Sequence, residues 1–291
     1  MNKNMTALVS CFSRCYHTKT NIVKIYDDKL ADRLLSEQEY SAIAANMSGG
    51  ISFFNPDYKG DNPLEWIVNN QLAPSVLARS AFNESHLNNE MDLGLCQYVI
   101  MASGYDTSGY GVNNRIKVFE LDLPEMIADK IKRIDAAGID RSNISYVACD
   151  FNKGWIEALI TAGFNPECKT YCSLMGISYY LSKEAFAQTI KTLADQMPAG
   201  SCIAFDYPDI SKNREKQINK ALAEAADEAM QAEYSYKDIE AIADSANLLI
   251  YEHLEDNELE SRYFAKYNAL NKGHEIAYPK GICCCMLVKR Q

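Results

Sequence analysis

Acidic side chains recur at the ends of short apolar runs along this chain. FELD closes one run with Glu120 and Asp122, and CDF closes the next with Asp150 followed by Phe151. A carboxylate in the first place is the usual partner of a ribose diol. An Asp beside an aromatic ring can accept from an adenine amino group while the ring packs on the base. Ahead of both stands QYVIMASGYDTSGYG, in which the apolar run 98–101 leads into a loop carrying Gly104, Gly109 and Gly111. Glycines after a buried strand let the backbone turn tightly or approach a ligand closely. The spacing is not G-x-G-x-x-G, so a dinucleotide fingerprint is absent. Each acid also has a plainer use: Asp122 could cap a helix beginning at Pro124, and Asp150 could cap the segment that follows it. Taken together, acids ending two successive runs beside a glycine loop favour an adenosine site. Two further runs end in Met175-Gly176 and Asp206-Tyr207.

These residues need a frame that brings run ends together. β-prone stretches fall at 98–101, 117–121, 144–149, 170–174 and 201–205, with helical stretches at 123–137, 155–163 and 183–197 between them. Strand and helix alternating at this spacing predict a parallel sheet with helices on both faces, wound by right-handed crossovers. Ligands bind such sheets at the carboxyl ends of the strands, where strand order reverses. Before the sheet, 28–40 and 63–92 read as helix, with a Gly/Asn/Pro-rich break at 49–60. After it, 211–233 reads as one long charged helix and 235–246 as another. Runs 248–254 and 281–289, joined through 258–271, read as two closing strands, an antiparallel edge. Five parallel strands and two closing ones suit a class I methyltransferase sheet better than a six-stranded Rossmann sheet. The organisation expected is a single α/β domain over 1–291, with a helical cap at 1–92, the sheet at 97–291 and a lid insertion at about 211–246.

Composition narrows the partners. The chain has 291 residues, 47% of them hydrophobic, enough for a sizeable core. Its 29 basic and 39 acidic residues leave a net charge of −10, a poor match for sequence-independent nucleic-acid binding. No apolar run has the length of a membrane span, and the first residues read as a mature helix rather than a signal peptide. The ten cysteines sit mostly in apolar segments, with no CxxC pair and no zinc spacing. No metal is expected, and a reduced, cytoplasmic setting fits best.

The phrases DDKLADRLL, LARSAFNE, VIMASGYDTSGYG, VFELDLPEM, YVACDFNKGWIEALITAGF and GISYYLSKEA together resemble the leucine carboxyl methyltransferase family, in the branch with bacterial polyketide-type O-methyltransferases. The likeness runs from about Thr6 to Lys289, and G-x-D-T followed by F-E-x-D-x-P is its most specific part. What it implies is an S-adenosylmethionine site, with S-adenosylhomocysteine as the product. Arg79 matches an arginine that pairs with the methionine carboxylate, a role suited to a bidentate fork. Gly104, flanked by Ala102, Ser103 and Asp106, matches the loop against the cofactor. Asp122, with Glu120 beside it, matches the ribose acid, and Asp150 with Phe151 matches the adenine pair. Arg14 aligns loosely with a basic residue of the first helix. Two positions depart from the pattern: Ala102 stands where the family has the first glycine of G-A-G-x-D-T, and Met175 stands where it has a glutamate for the cofactor's amino group. A thioether cannot replace that acceptor, which implies roughly ten- to hundredfold weaker binding unless another acid compensates.

Methyl transfer from a sulfonium is an in-line displacement in which the protein supplies alignment and a dry pocket. A carboxylate acceptor needs no base, whereas a phenol is helped by one. Tyr179, Tyr180 and His17 are the catalytic candidates, against the plainer readings of pocket wall for the tyrosines and an exposed helical side chain for His17. The expected function is O-methyl transfer to a carboxylate or hydroxyl of a small molecule, less readily to a protein C-terminus. The rival is a degenerate fold that binds a nucleoside or protein partner without turnover, supported by Met175 and Ala102. A nucleic-acid methyltransferase is weaker still. NPDY at 55–58 resembles an amino-methylation motif but precedes the glycine loop.

Overall fold

The computed structural model describes residues 5–151, 154–211 and 213–291. Asn152, Lys153 and Lys212, which belong to the adenine-side phrase and the charged run read above, lie outside them. The first helix, α1 (Met5–Thr20), leads to a short α2 (Ala31–Leu34) and to α3 (Glu37–Gly49). The single helix expected over 28–40 is therefore two. Asp28 Oδ1 accepts from the Leu30 and Ala31 N–H groups and starts α2, and Leu35 is extended. Ser36 and Glu39 then form a reciprocal capping box that restarts the chain as α3. One helical turn, α4 (Ile51–Phe54), interrupts the glycine-rich break. The helix expected over 63–92 forms as α5 (Pro63–Ile67) and α6 (Ala73–Asp92), fused through a π-helical turn at Val68–Leu72. Such turns are often found at functional sites.

Then come β1 (Gln97–Met101), β2 (Lys117–Asp122), α7 (Pro124–Ala136), β3 (Ile144–Ala148), α8 (Trp155–Thr161), β4 (Thr170–Leu174), α9 (Lys183–Asp195) and β5 (Cys202–Pro208). The remaining elements are α10 (Arg214–Ala225), α11 (Tyr236–Ser245), β6 (Leu248–Leu254), α12 (Asp256–Leu259), α13 (Ala265–Leu270) and β7 (Ile282–Lys289). The long charged helix is cut short. Asp227 takes a left-handed φ of +61°, and the Glu228 N–H returns to the Ala223 carbonyl at 2.9 Å. That bond closes a Schellman end despite the helix-forming composition downstream.

The strands make one seven-stranded sheet in the order β3-β2-β1-β4-β5-β7-β6. The first five are parallel, and β7 runs antiparallel between β5 and β6. This is the class I methyltransferase sheet anticipated from the strand pattern. Order reverses between β1 and β4, so their carboxyl ends open a crevice. Apolar residues pack on both faces of the sheet. Successive cysteines of β7 divide between the two faces, Cys284 into the core under α1 and α6, Cys283 and Cys285 into the core under α9 and α11. All ten cysteines are free thiols, most of them buried, although Cys96 is exposed. Among the described residues no helix is long and apolar enough to cross a membrane, and no acid, His or Cys cluster is arranged to hold a metal.

Candidate active site

Two adjoining cavities open at the switch point. The first, of about 390 Å³, lies over the carboxyl ends of β1 to β4 and is walled by Arg79, Ala102, Ser103, Gly104, Asp106, Asp122, Asp150, Phe151 and Met175. Nine of the ten residues expected at the cofactor are thus on one wall. The second, of about 480 Å³, lies between α1, α6 and α10. Thr6, Ser10, Arg79, Tyr179 and Tyr180 line both cavities and form the partition.

Each strand end contributes through a specific contact. Asp122 is largely buried, and its two oxygens accept from the Gly104 N–H at 2.7 Å and the Leu123 N–H at 2.7 Å. Burial raises its pKa while those two N–H groups oppose the rise. The helix-capping alternative falls away, because α7 begins at an N-cap Leu123 with no side-chain cap. Gly104 needs its glycine: φ is +42°, and a Cβ there would stand 3.4 Å from Ala7. Ser103 is part of this wall, and its buried Oγ has no hydrogen-bond partner, an exception in native structures. Arg14, expected only loosely, is a buried part of the same wall, donating to Asp28 at 2.7 Å and to the Tyr105 carbonyl at 2.6 Å.

Ala102 has φ +51°. A side chain in the left-handed region costs roughly 1–2 kcal/mol. The Ala102→Gly variant is expected to gain about 0.5–1 kcal/mol of stability, part of the relief being offset by the entropy of glycine in the unfolded chain. A urea midpoint unchanged or lowered would contradict that.

Two expectations are corrected. Glu120 does not reach the cavity. It is wholly buried beneath α7, 2.7 Å from the equally buried Lys130, and burial pushes its carboxyl up to about 7 against the pull of that ammonium. His17 is neither exposed nor near either cavity. It is 1% exposed on α1, its Nε2 accepts from the Ile25 N–H at 2.9 Å, and its ring lies against Tyr267. Desolvation lowers its pKa to about 4. The folded value lies below that of the unfolded chain, so the stabilisation is complete above about pH 6.5 and is lost as pH falls towards 4, up to about 3 kcal/mol in all. His17→Gln, which keeps an acceptor without the titration, is expected to flatten the urea-stability profile between those pH values; an equal slope in both proteins would refute the assignment.

Tyr179 and Tyr180 do sit at the partition. Arg79 Nη1 donates to the Tyr179 hydroxyl at 3.2 Å and Nη2 to Ser10 Oγ at 3.2 Å. Burial raises both phenols, which favours their protonated form. Two further acids lie on these walls, Asp206 from a run end read in the sequence and Glu228 with no sequence signal of its own. Asp206, two residues before the end of β5, accepts from the Gly176 N–H at 2.5 Å and stands 3.7 Å from Arg79. Glu228, in the segment after α10, lines the first cavity and is bonded by the Thr6 hydroxyl. It supplies a carboxylate to the cavity where β4 offers only Met175. The same segment is tied to the partition by Gln231, whose N–H and side-chain amide donate to the Tyr179 and Tyr180 carbonyls at 2.6 and 2.8 Å.

Residues 7–194 match the sequence model of a family described as leucine carboxyl methyltransferase. The chain is 35% identical over 286 residues to a Bacillus subtilis (strain 168) protein, YktD, provisionally named an S-adenosyl-L-methionine-dependent methyltransferase, with 91% of this chain and 93% of that protein covered. A Mycolicibacterium gilvum (strain PYR-GCK) protein with the same provisional description is 28% identical over 187 residues, covering 62% of this chain and 60% of that one. Among solved structures, a DUF574 family protein from Streptomyces avermitilis superposes with a TM-score of 0.60 at 12% identity, over 96% of this chain and 97% of that one. One described as a possible exported protein from Bordetella parapertussis gives 0.52 at 11%, over 99% and 97%. At such identities the structural likeness speaks to fold alone.

Proposed function

The chain belongs to the leucine carboxyl methyltransferase family, and from that premise we propose that it transfers the methyl group of S-adenosylmethionine to an oxygen of a small-molecule acceptor. The observation that carries the proposal is the pair of cavities sharing one partition: one at the strand ends, carrying Arg79, Asp122, Asp150 and Glu228, and a second beside it against α10. The residues of the first cavity fit the cofactor. Arg79 offers a guanidinium for a carboxylate, Asp122 an acceptor for a diol, Asp150 and Phe151 an acceptor and a ring for a purine, and Ser103 an unmatched hydroxyl. Glu228 is the acid best placed to answer an ammonium group. When bound, the cofactor supplies an electrophilic methyl carbon; the protein's task is to align an acceptor and keep water out.

An oxygen acceptor is supported by the carboxyl chemistry in the family's description, and a small one by a second cavity of drug-like size. The test is label transfer from methyl-tritiated S-adenosylmethionine to a mixed panel of phenols and carboxylic acids, with products identified by mass. Label in an ester or ether is the expected result. Label found on nitrogen or carbon, or only on a peptide C-terminus, would contradict the proposal.

A further inference from the structure

We propose that Asp206 is the general base of this enzyme and that its acceptor is an aryl hydroxyl rather than a carboxylate; the inference rests on the O-methyltransferase reading above. Asp206 is 1% exposed and lines the second cavity at the partition. Its Oδ1 is held by the Gly176 N–H. Its Oδ2 forms a 3.7 Å ion pair with the Arg79 guanidinium, beyond hydrogen-bond length. Backbone anchoring of one oxygen, with the other paired to its cation only at a distance, holds the carboxylate in place while leaving it able to accept a proton.

The surroundings decide which acceptor suits it. Arg79 faces both cavities; once its fork holds a carboxylate on the cofactor side, its charge is matched and Asp206 presents an unneutralised anion to the acceptor. A second carboxylate brought there meets like charge. A hydroxyl meets a hydrogen-bond acceptor. Of the two lysines of α10 on this cavity, Lys216 is already tied to Asp209 and Glu233, and Lys220 is exposed to solvent. Aliphatic alcohols are too weakly acidic for a carboxylate to deprotonate, whereas a phenol ionises near pH 10. Burial raises the Asp206 pKa towards that of a useful base. The groups that face it are Arg79 from α6, Tyr179 from the turn after β4 and Cys284 from β7. The cavity wall beyond, with Met5, Met47 and Met230 beside Leu72 and Leu222, is the adaptable apolar surface a ring needs.

In the step, the hydroxyl proton passes to Asp206 Oδ2 as the oxygen's electron pair bonds the methyl carbon. The carbon–sulfur bond breaks with its pair going to sulfur, which turns sulfonium into thioether, and the proton later leaves Asp206 for water.

The experiment compares the wild type with Asp206→Asn, which retains an acceptor for the Gly176 N–H. S-adenosylhomocysteine binding by calorimetry is expected to differ by less than about threefold between them. With that ligand saturating, 4-ethylphenol and 2-naphthol are expected to bind wild type at least about tenfold more tightly than 4-ethylbenzoate and 2-naphthoate, and Asp206→Asn to abolish or reverse the preference. Single-turnover methylation of the preferred phenol is expected to fall at least about a hundredfold in the variant at pH 7 and to recover as pH approaches the phenol's own ionisation. A wild-type preference for the benzoates would overturn the inference. So would an unchanged preference and rate in the variant, or binding of neither class while S-adenosylhomocysteine binds normally. Absence of S-adenosylhomocysteine binding in wild type would instead overturn the reading on which the inference rests.

Discussion

Replacing Arg79 with alanine is expected to weaken S-adenosylhomocysteine binding by at least about a hundredfold. The guanidinium is largely buried at the partition, fixed by Ser10 and the Tyr179 hydroxyl, with Gly176 packed so closely that a Cβ there would stand 2.7 Å from Nη1. Such a fork is pre-ordered for a carboxylate and loses little freedom on engaging it. The substitution does a second thing. It strands Asp206, already pushed towards protonation by burial, without its cation. Removing one member of a buried pair costs about 3–5 kcal/mol, though the 3.7 Å separation puts this pair at the lower end. The two effects separate in the double variant Arg79→Met with Asp206→Asn, which is expected to recover stability in urea but not binding. Binding within about threefold of wild type in Arg79→Ala would remove the residue from the cofactor site.

The second large effect lies away from both cavities. Lys130 and Glu120 are each fully buried, 2.7 Å apart, and Glu120 Oε1 has no hydrogen-bond partner. Lys130→Met is expected to cost about 3–5 kcal/mol, and Lys130→Met with Glu120→Gln to recover most of it. The single variant also carries a pH signature. Without its cation, Glu120 keeps a folded pKa above the unfolded one. The folded state then binds the extra proton, so stability is complete below about pH 4.5 and falls as pH rises through the folded pKa. Urea midpoints of Lys130→Met measured near pH 5 and pH 8 are therefore expected to favour the acid condition more strongly than those of the double variant. Equal pH dependence in the two would refute a buried charge at Glu120.

The contrast between Glu120 and Asp122 marks what the sequence made legible. Both lie in FELD, two residues apart. Asp122 is the last residue of β2 and reaches the crevice, whereas Glu120 lies inside the strand, where α7 covers it. Strand ends can be read from where an apolar run stops; the helix that roofs a strand cannot. The sheet itself was readable because its parallel strands are buried apolar runs, and β4 and β6 fall where the pattern put them. The 211–233 stretch departs from one continuous helix for a local reason. Its Glu/Ala-rich composition favours helix throughout, and the left-handed Asp227 carries no glycine to announce the stop. With the chain turned there, Glu228 reaches the cofactor cavity. Asp206 was visible as a strand end but not as a neighbour of Met175, since the β4–β5 pairing that joins them is a tertiary fact. His17 was lost because a single histidine on a helix gives no hint of which loop will pack over it.

The most direct test of the central claim is calorimetric titration of the purified protein with S-adenosylmethionine and S-adenosylhomocysteine. Saturable one-to-one binding of both in the micromolar range is expected, with Asp122 and Arg79 in place and Glu228 answering for Met175. No heat of binding from folded protein at millimolar ligand would contradict it.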